Sequence, residues 1–156
     1  MQKITTFLTF KTGGKKAVEF YCSVFKDSSI DHVMTLPGTD HLLHAGFSLN
    51  GQEFMAMDVG DAPGFGFTDG ISLFVSCENQ EEVDYYWEAL QAGGGSEVQC
   101  GWLKDQFGVS WQVIPKALGD LMSDPDPAKS GRVMQAMLKM TKIVVSDLEK
   151  AYNDEQ

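Results

Sequence analysis

A chain of 156 residues with 43% hydrophobic and 22% charged side chains has room for a real core and excludes bulk disorder. The formal net charge of −10 argues against nucleic acid or an anionic membrane as a partner, since both need basic patches. No charge-free apolar run approaches the roughly 18 residues of a spanning helix, and MQKITTFLTF lacks the apolar core and cleavage site of a signal peptide. Cys22, Cys77 and Cys100 are odd in number and lack metal-type spacing, so they read as reduced thiols of a cytoplasmic protein.

Residues 3–10, KITTFLTF, read as a β-branched and aromatic strand that Gly13-Gly14 breaks. A helix follows to about Phe25, with Val18, Tyr21, Cys22 and Phe25 at i, i+3, i+4 and i+7 on one buried face. Strands at 29–36 and 42–49 flank the turn Leu36-Pro37-Gly38. Asn50-Gly51 makes a hairpin turn into the strand Gln52–Val59. GDAPGFGFTD, residues 60–69, is a loop. The strand Ile71–Cys77 comes next. Asn79 with Glu82 three residues on starts a helix whose stripe is Val83, Tyr86, Trp87 and Leu90, and Gly93-Gly94-Gly95 ends it. Strands near 97–100, 102–107 and 109–114 complete the β structure. Helices are expected at Lys116–Met122, from Asp124-Pro125-Asp126-Pro127 to about Met140, and from Ser146.

The order β-α-β-β-β occurs twice, which prompts a search for repeats. Phe7–Phe10 matches Ser72–Val75 and Ala17–Tyr21 matches Glu82–Tyr86, both at an offset of 65; Gly51–Met55 matches Gly108–Gln112 at 57. One domain is expected, with module one at about 3–59, module two at about 70–115 and a helical extension over 116–156. Alternation assigns the faces. Leu8, Phe10, Ile71, Leu73, Val75, Trp111 and Val113 should pack under the helices. The opposite face carries Thr5, Phe7, Thr9, Glu53, Met55, Met57, Gly70, Ser72, Phe74, Ser110, Gln112 and Ile114, a mixed set suited to a small-molecule cavity. Another chain or a terminal helix covering that face is the alternative.

The paired modules, with CGWLKDQFGVSWQVIP at 100–115, ITTFLTF…AVEFYCSVF near the start and DPDPAKSGRVMQAMLKM near the end, resemble the PhnB-like group of the vicinal oxygen chelate superfamily. That superfamily includes glyoxalase I, extradiol dioxygenases, and bleomycin- and fosfomycin-resistance proteins. The resemblance covers nearly the whole chain. It implies an α+β fold in which two tandem βαβββ modules form an open curved sheet. It also brings the group's label, 3-demethylubiquinone-9 3-methyltransferase. The residues do not read as that enzyme's cofactor site: Gly13-Gly14 leads into a βαβββ unit and Gly93-Gly94-Gly95 follows a helix, whereas the Gly-rich turn of a methyltransferase follows the first strand of a doubly wound sheet.

Catalytic members of the superfamily hold a divalent metal through His and Glu on the cavity face. Carrying those places across gives Thr5, Met55, Gly70 (or Ser72 if the register slips) and Gln112, which offer neither imidazole nor carboxylate. No metal and no other cofactor is therefore expected. His44 is the best remaining proton-exchanging candidate, set against the ordinary reading of a structural strand histidine. His32 and His41 are expected near a turn and solvated. Glu53 could act as a base if desolvated, and Trp102, Phe65 and Phe67 could line a ligand. The ligand-binding set is thus Thr5, Phe7, His44, Glu53, Met55, Ser72, Phe74, Trp102 and Gln112. A metal-free small-molecule binder is favoured over an enzyme, whether a metal-dependent lyase or dioxygenase or a methyltransferase. Val133, Met134, Met137, Leu138 and Thr141 form an apolar stripe, and with the sheet's open edges they point to a homodimer.

Overall fold

The first strand, β1 (Thr6–Phe10), runs parallel to β4 (Gln52–Asp58). Between them come the helix α1 (Gly14–Val24) and the strands β2 (Ser28–Thr35) and β3 (Leu42–Leu49), giving a sheet of order β1-β4-β3-β2. These facts come from a computed structural model that describes residues 2–155, and the chain divides between Gly66 and Phe67 into two units.

In the first unit the apolar parity is the core. Leu8, Phe10, Ala45, Phe47, Phe54 and Ala56 are buried beneath Ala17, Val18, Tyr21 and Val24 of α1. Asn50 and Gly51 both take positive φ, the conformation a two-residue hairpin between right-twisted strands needs. No side chain of the N-cap residue Gly13 caps α1. Instead the buried Asp58 accepts from the backbone N–H of Gly14 at 2.8 Å and of Leu42 at 2.9 Å. One carboxylate thereby satisfies the start of the helix and the start of β3.

The second unit repeats the order: β5 (Leu73–Cys77), α2 (Gln80–Gln91), β6 (Ser96–Glu97), β7 (Trp102–Lys104) and β8 (Ser110–Pro115), with sheet order β5-β8-β7-β6. Val75, Leu103, Trp111 and Val113 are buried, as are Val83, Trp87 and Leu90 of α2. Asn79 Oδ1 accepts from Glu82 N–H, and the Glu82 carboxylate accepts from Glu78 N–H, a capping box displaced by one residue. The helices α3 (Lys116–Met122), α4 (Pro127–Met137) and α5 (Val145–Asn153) close a second core around Leu118, Val133, Ile143 and Leu148. That core is tied to the rest of the module by Cys100 N–H to Met140 O and Gly101 N–H to Thr141 O, from the turn before β7, and by Gln80 of α2, which donates to Ile143 O and accepts from Val145 N–H.

The expected α+β arrangement of two tandem βαβββ modules and C-terminal helices is present, with hydrogen bonding resolving it into one four-stranded sheet per module. Four details differ. The strand expected over 102–107 ends at Lys104, because Asp105 turns the chain: its Oδ1 accepts from Phe107 and Val109 N–H, and Gly108 closes the turn at positive φ. Gly70 and Ile71 lie in a turn before β5, which leaves Ile71 79% exposed rather than under a helix. The fourth helix stops at Met137 instead of Met140, so Thr141 lies beyond it. Finally, the strand register pairs Thr6 with Phe54 and Leu73 with Trp111, so the first strands of the two modules correspond at an offset of 67, two residues from the 65 read in the sequence. A two-residue slip keeps every side chain on its own face.

Candidate functional site

The face of each sheet opposite its helix carries the candidate residues, and the strand registers arrange them in rows. In the second sheet Phe74, Gln112 and Trp102 stand side by side on β5, β8 and β7. Phe74 is 59% exposed, while Gln112 and Trp102 are half-buried. The Gln112 amide donates to Ser72 Oγ at 2.8 Å. Ser110, which pairs with Lys104, donates to Asp69 Oδ1 at 2.9 Å, and Lys104 Nζ lies 3.0 Å from the same oxygen. The hydrogen bond from Lys104, helped by that from Ser110, holds the Asp69 carboxyl below the usual carboxylate range. At the far end of the row, Ile114 packs against the C-terminal helical core, so a terminal helix covers part of this face.

In the first sheet the corresponding row is Phe7, Met55, Gly46 and His32, on β1, β4, β3 and β2. Thr5, Glu53 and Met55 are half-buried and Phe7 is 43% exposed. His44, two residues from Gly46, shares its face; its Nδ1 lies 2.7 Å from His32 Nε2, and the Phe7 ring meets it edge-on at 5.9 Å. His32, read in the sequence as a solvated turn residue, is exposed but sits within β2 against His44. His41 remains beside the turn that Leu36 and His41 close through their backbones. Phe65 is exposed and Phe67 half-buried.

The four metal places can now be tested on their donors. The register makes Ser72, and not Gly70, the counterpart of Thr5. The donors in unit one are a hydroxyl and a thioether, at Thr5 and Met55; in unit two they are a hydroxyl and an amide, at Ser72 and Gln112. None carries negative charge, and Ser72 and Gln112 already hydrogen-bond each other. Neither pair fits the divalent metal that the sequence resemblance implies. Among the described residues, no group of three or more His, Cys, Asp or Glu is gathered for a cation elsewhere.

Sequence reasoning missed His32, Asp69 and Lys104. The histidine could not be found by alternation, because a β-bulge between Ile30 and His32 changes which face it joins. The ion pair joins a loop residue to a strand through folding alone.

Comparison with known proteins places the chain. The 3-demethylubiquinone-9 3-methyltransferase family pattern matches residues 2–114. A Bacillus cereus PhnB protein bearing the same methyltransferase name is 37% identical, covers 73% of this chain and 99% of its own, and superposes with a TM-score of 0.67. A Pseudomonas aeruginosa protein is similar at 21% identity, with 74% and 98% coverage and a TM-score of 0.59. The fosfomycin resistance protein FosX of Listeria monocytogenes, solved with Mn(II), shares the fold at 16% identity, with 71% and 90% coverage and a TM-score of 0.52. No protein of curated function matches. The family pattern and the Bacillus PhnB relative agree, and the two βαβββ modules share the fold of FosX: the chain belongs to the PhnB-like 3-demethylubiquinone-9 3-methyltransferase family.

Proposed function

We propose that this PhnB-like protein binds a small organic molecule on the open faces of its sheets, without the metal of the superfamily's catalytic members. The observation that carries the reading is the Gln112–Ser72 hydrogen bond, a neutral pair standing at two of the four metal places. An amide keeps one further donor and a carbonyl acceptor, enough to orient a polar group but not to neutralise a dication. Phe74 and Trp102 flank it with aromatic surface, and Thr5, Phe7, His44, Glu53 and Met55 supply the equivalent surface in module one. Methyl transfer is less well supported, since neither sheet is the doubly wound parallel type that carries a Gly-rich cofactor turn. A homodimer in a reducing cytoplasm suits the exposed apolar side chains of α4 and the three free cysteines. Among the described residues, no helix is long and apolar enough to cross a membrane.

The test is elemental analysis and native mass spectrometry of protein purified without added metal. A copurifying organic molecule, or saturable binding from a metabolite extract that Gln112→Ala abolishes, supports the reading. Stoichiometric zinc, nickel, iron or manganese overturns it.

A further inference from the structure

The His32–His44 contact has a geometry that restricts its chemistry. The ring planes are within 4° of parallel, with centroids 5.0 Å apart and two nitrogens at 2.7 Å. Rings in face contact keep their atoms about 3.5 Å or more apart, so this pair is not stacked. The rings lie edge to edge in nearly one plane, joined by an in-line N–H···N hydrogen bond.

Two features of the backbone make room for it. The bulge at Asp31 brings His32 onto the face of His44. Gly46 then leaves its own side-chain space to the His32 ring, since a Cβ there would lie 2.7 Å from Cε1 and 3.0 Å from Nδ1. A pair of lone pairs aimed at each other cannot chelate one metal ion. It can share one proton.

We propose that His44 and His32 form a proton-sharing dyad that receives a weakly acidic hydroxyl group of an apolar small molecule. In one neutral tautomer His44 Nδ1–H donates to His32 Nε2, His32 Nδ1 carries a hydrogen, and His44 Nε2 is bare. The ligand's O–H donates to that nitrogen and gives up its proton there. The bridging proton shifts from His44 Nδ1 to His32 Nε2, and the hydrogen on His32 Nδ1 passes to water from the exposed ring. One proton enters and one leaves, and the dyad is left in its other neutral tautomer. If the last step does not occur, the dyad is a monocation paired with the ligand anion. A second added proton is disfavoured, because two N–H groups would then face each other at 2.7 Å. The surrounding surface is apolar and polarisable: the Phe7 edge, Met55 beside Gly46 and Met34 opposite His44. Among the described residues, the other titratable groups on this face are Glu53 on β4 and Asp31 in the bulge of β2; Phe7 and Thr9 on β1, and Thr5 just before it, carry no charge.

The inference rests on the reading that the open face of module one receives a ligand, and the experiment separates the two. 4-Nitrophenol, whose anion absorbs visible light, is titrated into the protein in a buffer that keeps the free phenol protonated. Proton transfer appears as a phenolate band on binding. The band should be lost in His44→Gln and diminished in His32→Gln and Gly46→Ala, both of which retain His44; unchanged thermal unfolding would confirm that each variant folds. A phenol that binds but stays protonated, or a full band in Gly46→Ala and His32→Gln, overturns the dyad while leaving the binding face intact. Failure of wild-type protein to bind 4-nitrophenol overturns the inference, and metal-free binding at Gln112 is then judged on its own test. In the free protein, ¹⁵N spectra should show the N–H···N hydrogen bond between His44 Nδ1 and His32 Nε2, and its absence would also overturn the proposal.

Discussion

Trp111 and Asp105 are joined inside the core of module two, where the indole Nε1–H donates to Oδ2 across 2.8 Å. The other carboxylate oxygen holds the turn of residues 105–108 through the N–H groups of Phe107 and Val109. A buried acid of this kind is a structural clasp. Asp105→Ala strands an indole donor and two backbone donors and should cost about 3 kcal/mol or more, read as a lower urea midpoint with an unchanged slope. A loss below about 1 kcal/mol would show that water replaces the carboxylate at little cost.

Asp58 plays the matching part in module one. Asp58→Ala frees the N–H groups of Gly14 and Leu42 and should destabilise by about 2–3 kcal/mol. Gly14→Ala should act through the same contact, because its Cβ would meet Asp58 Oδ1 at 2.7 Å and Leu42 at 3.0 Å. Combining the two substitutions should cost less than their sum, which a double-mutant cycle in urea would measure.

The three thiols should react unequally. Burial pushes Cys77 up to about 12, leaving almost no thiolate near neutrality. Desolvation also raises Cys22, more modestly. A colorimetric thiol reagent at neutral pH should leave Cys77 unmodified in the native protein and reach it only after denaturation. Rapid native labelling of Cys77, located by peptide mapping, would contradict its burial.

Asp69 gives one contribution to acid sensitivity. Its carboxyl is lowered from 3.8 in the fold by Lys104 and Ser110, so the stabilisation is present above that unfolded value and disappears as pH falls through the lower, folded one. Asp69 is largely exposed and Lys104 only half-buried, which makes the effect small and salt-sensitive. Asp69→Asn should therefore flatten the acid limb of a stability–pH profile at low salt and change little at high salt. An unaltered acid limb at low salt would show that this pair contributes nothing.

Self-association should depend on α4. Met134 and Leu138 are 43% and 51% exposed, whereas Met137 packs against its own helical core. Met134→Glu should shift a dimer toward a 17.2 kDa monomer in light scattering without lowering the unfolding temperature. The wild-type chain running as a monomer at micromolar concentration would reject dimerisation.

Much of this was legible from period and spacing. The parity of Leu8, Phe10, Val75, Trp111 and Val113 identified the buried face, and the two-residue error in aligning β1 with β5 did no harm because faces repeat every two residues. The hidden features all involve a broken period or a contact distant in sequence. Alternation continued through Asp31 puts His32 on the wrong face, and nothing local marks the bulge. The run Lys104-Asp105-Gln106 reads as strand continuing to 107, and nothing local shows that the side chain of Asp105 folds back on Phe107 and Val109 to end it at Lys104. Gly46 gave no sign that its missing side chain is space occupied by another residue.

Gly46 has a counterpart. Met55 pairs with Gly46 in the first sheet and Gln112 pairs with Trp102 in the second, so the same register position holds no side chain in one module and the largest one in the other. A duplicated unit has thus placed the ring of a neighbouring strand's histidine over this position in one copy and the position's own indole in the other. A compound shaped to lie against the His32 ring above Gly46 would meet an indole instead at the equivalent point of the sister sheet. The two surfaces therefore differ in shape at this register position, and a compound fitted to one should not fit the other in the same pose.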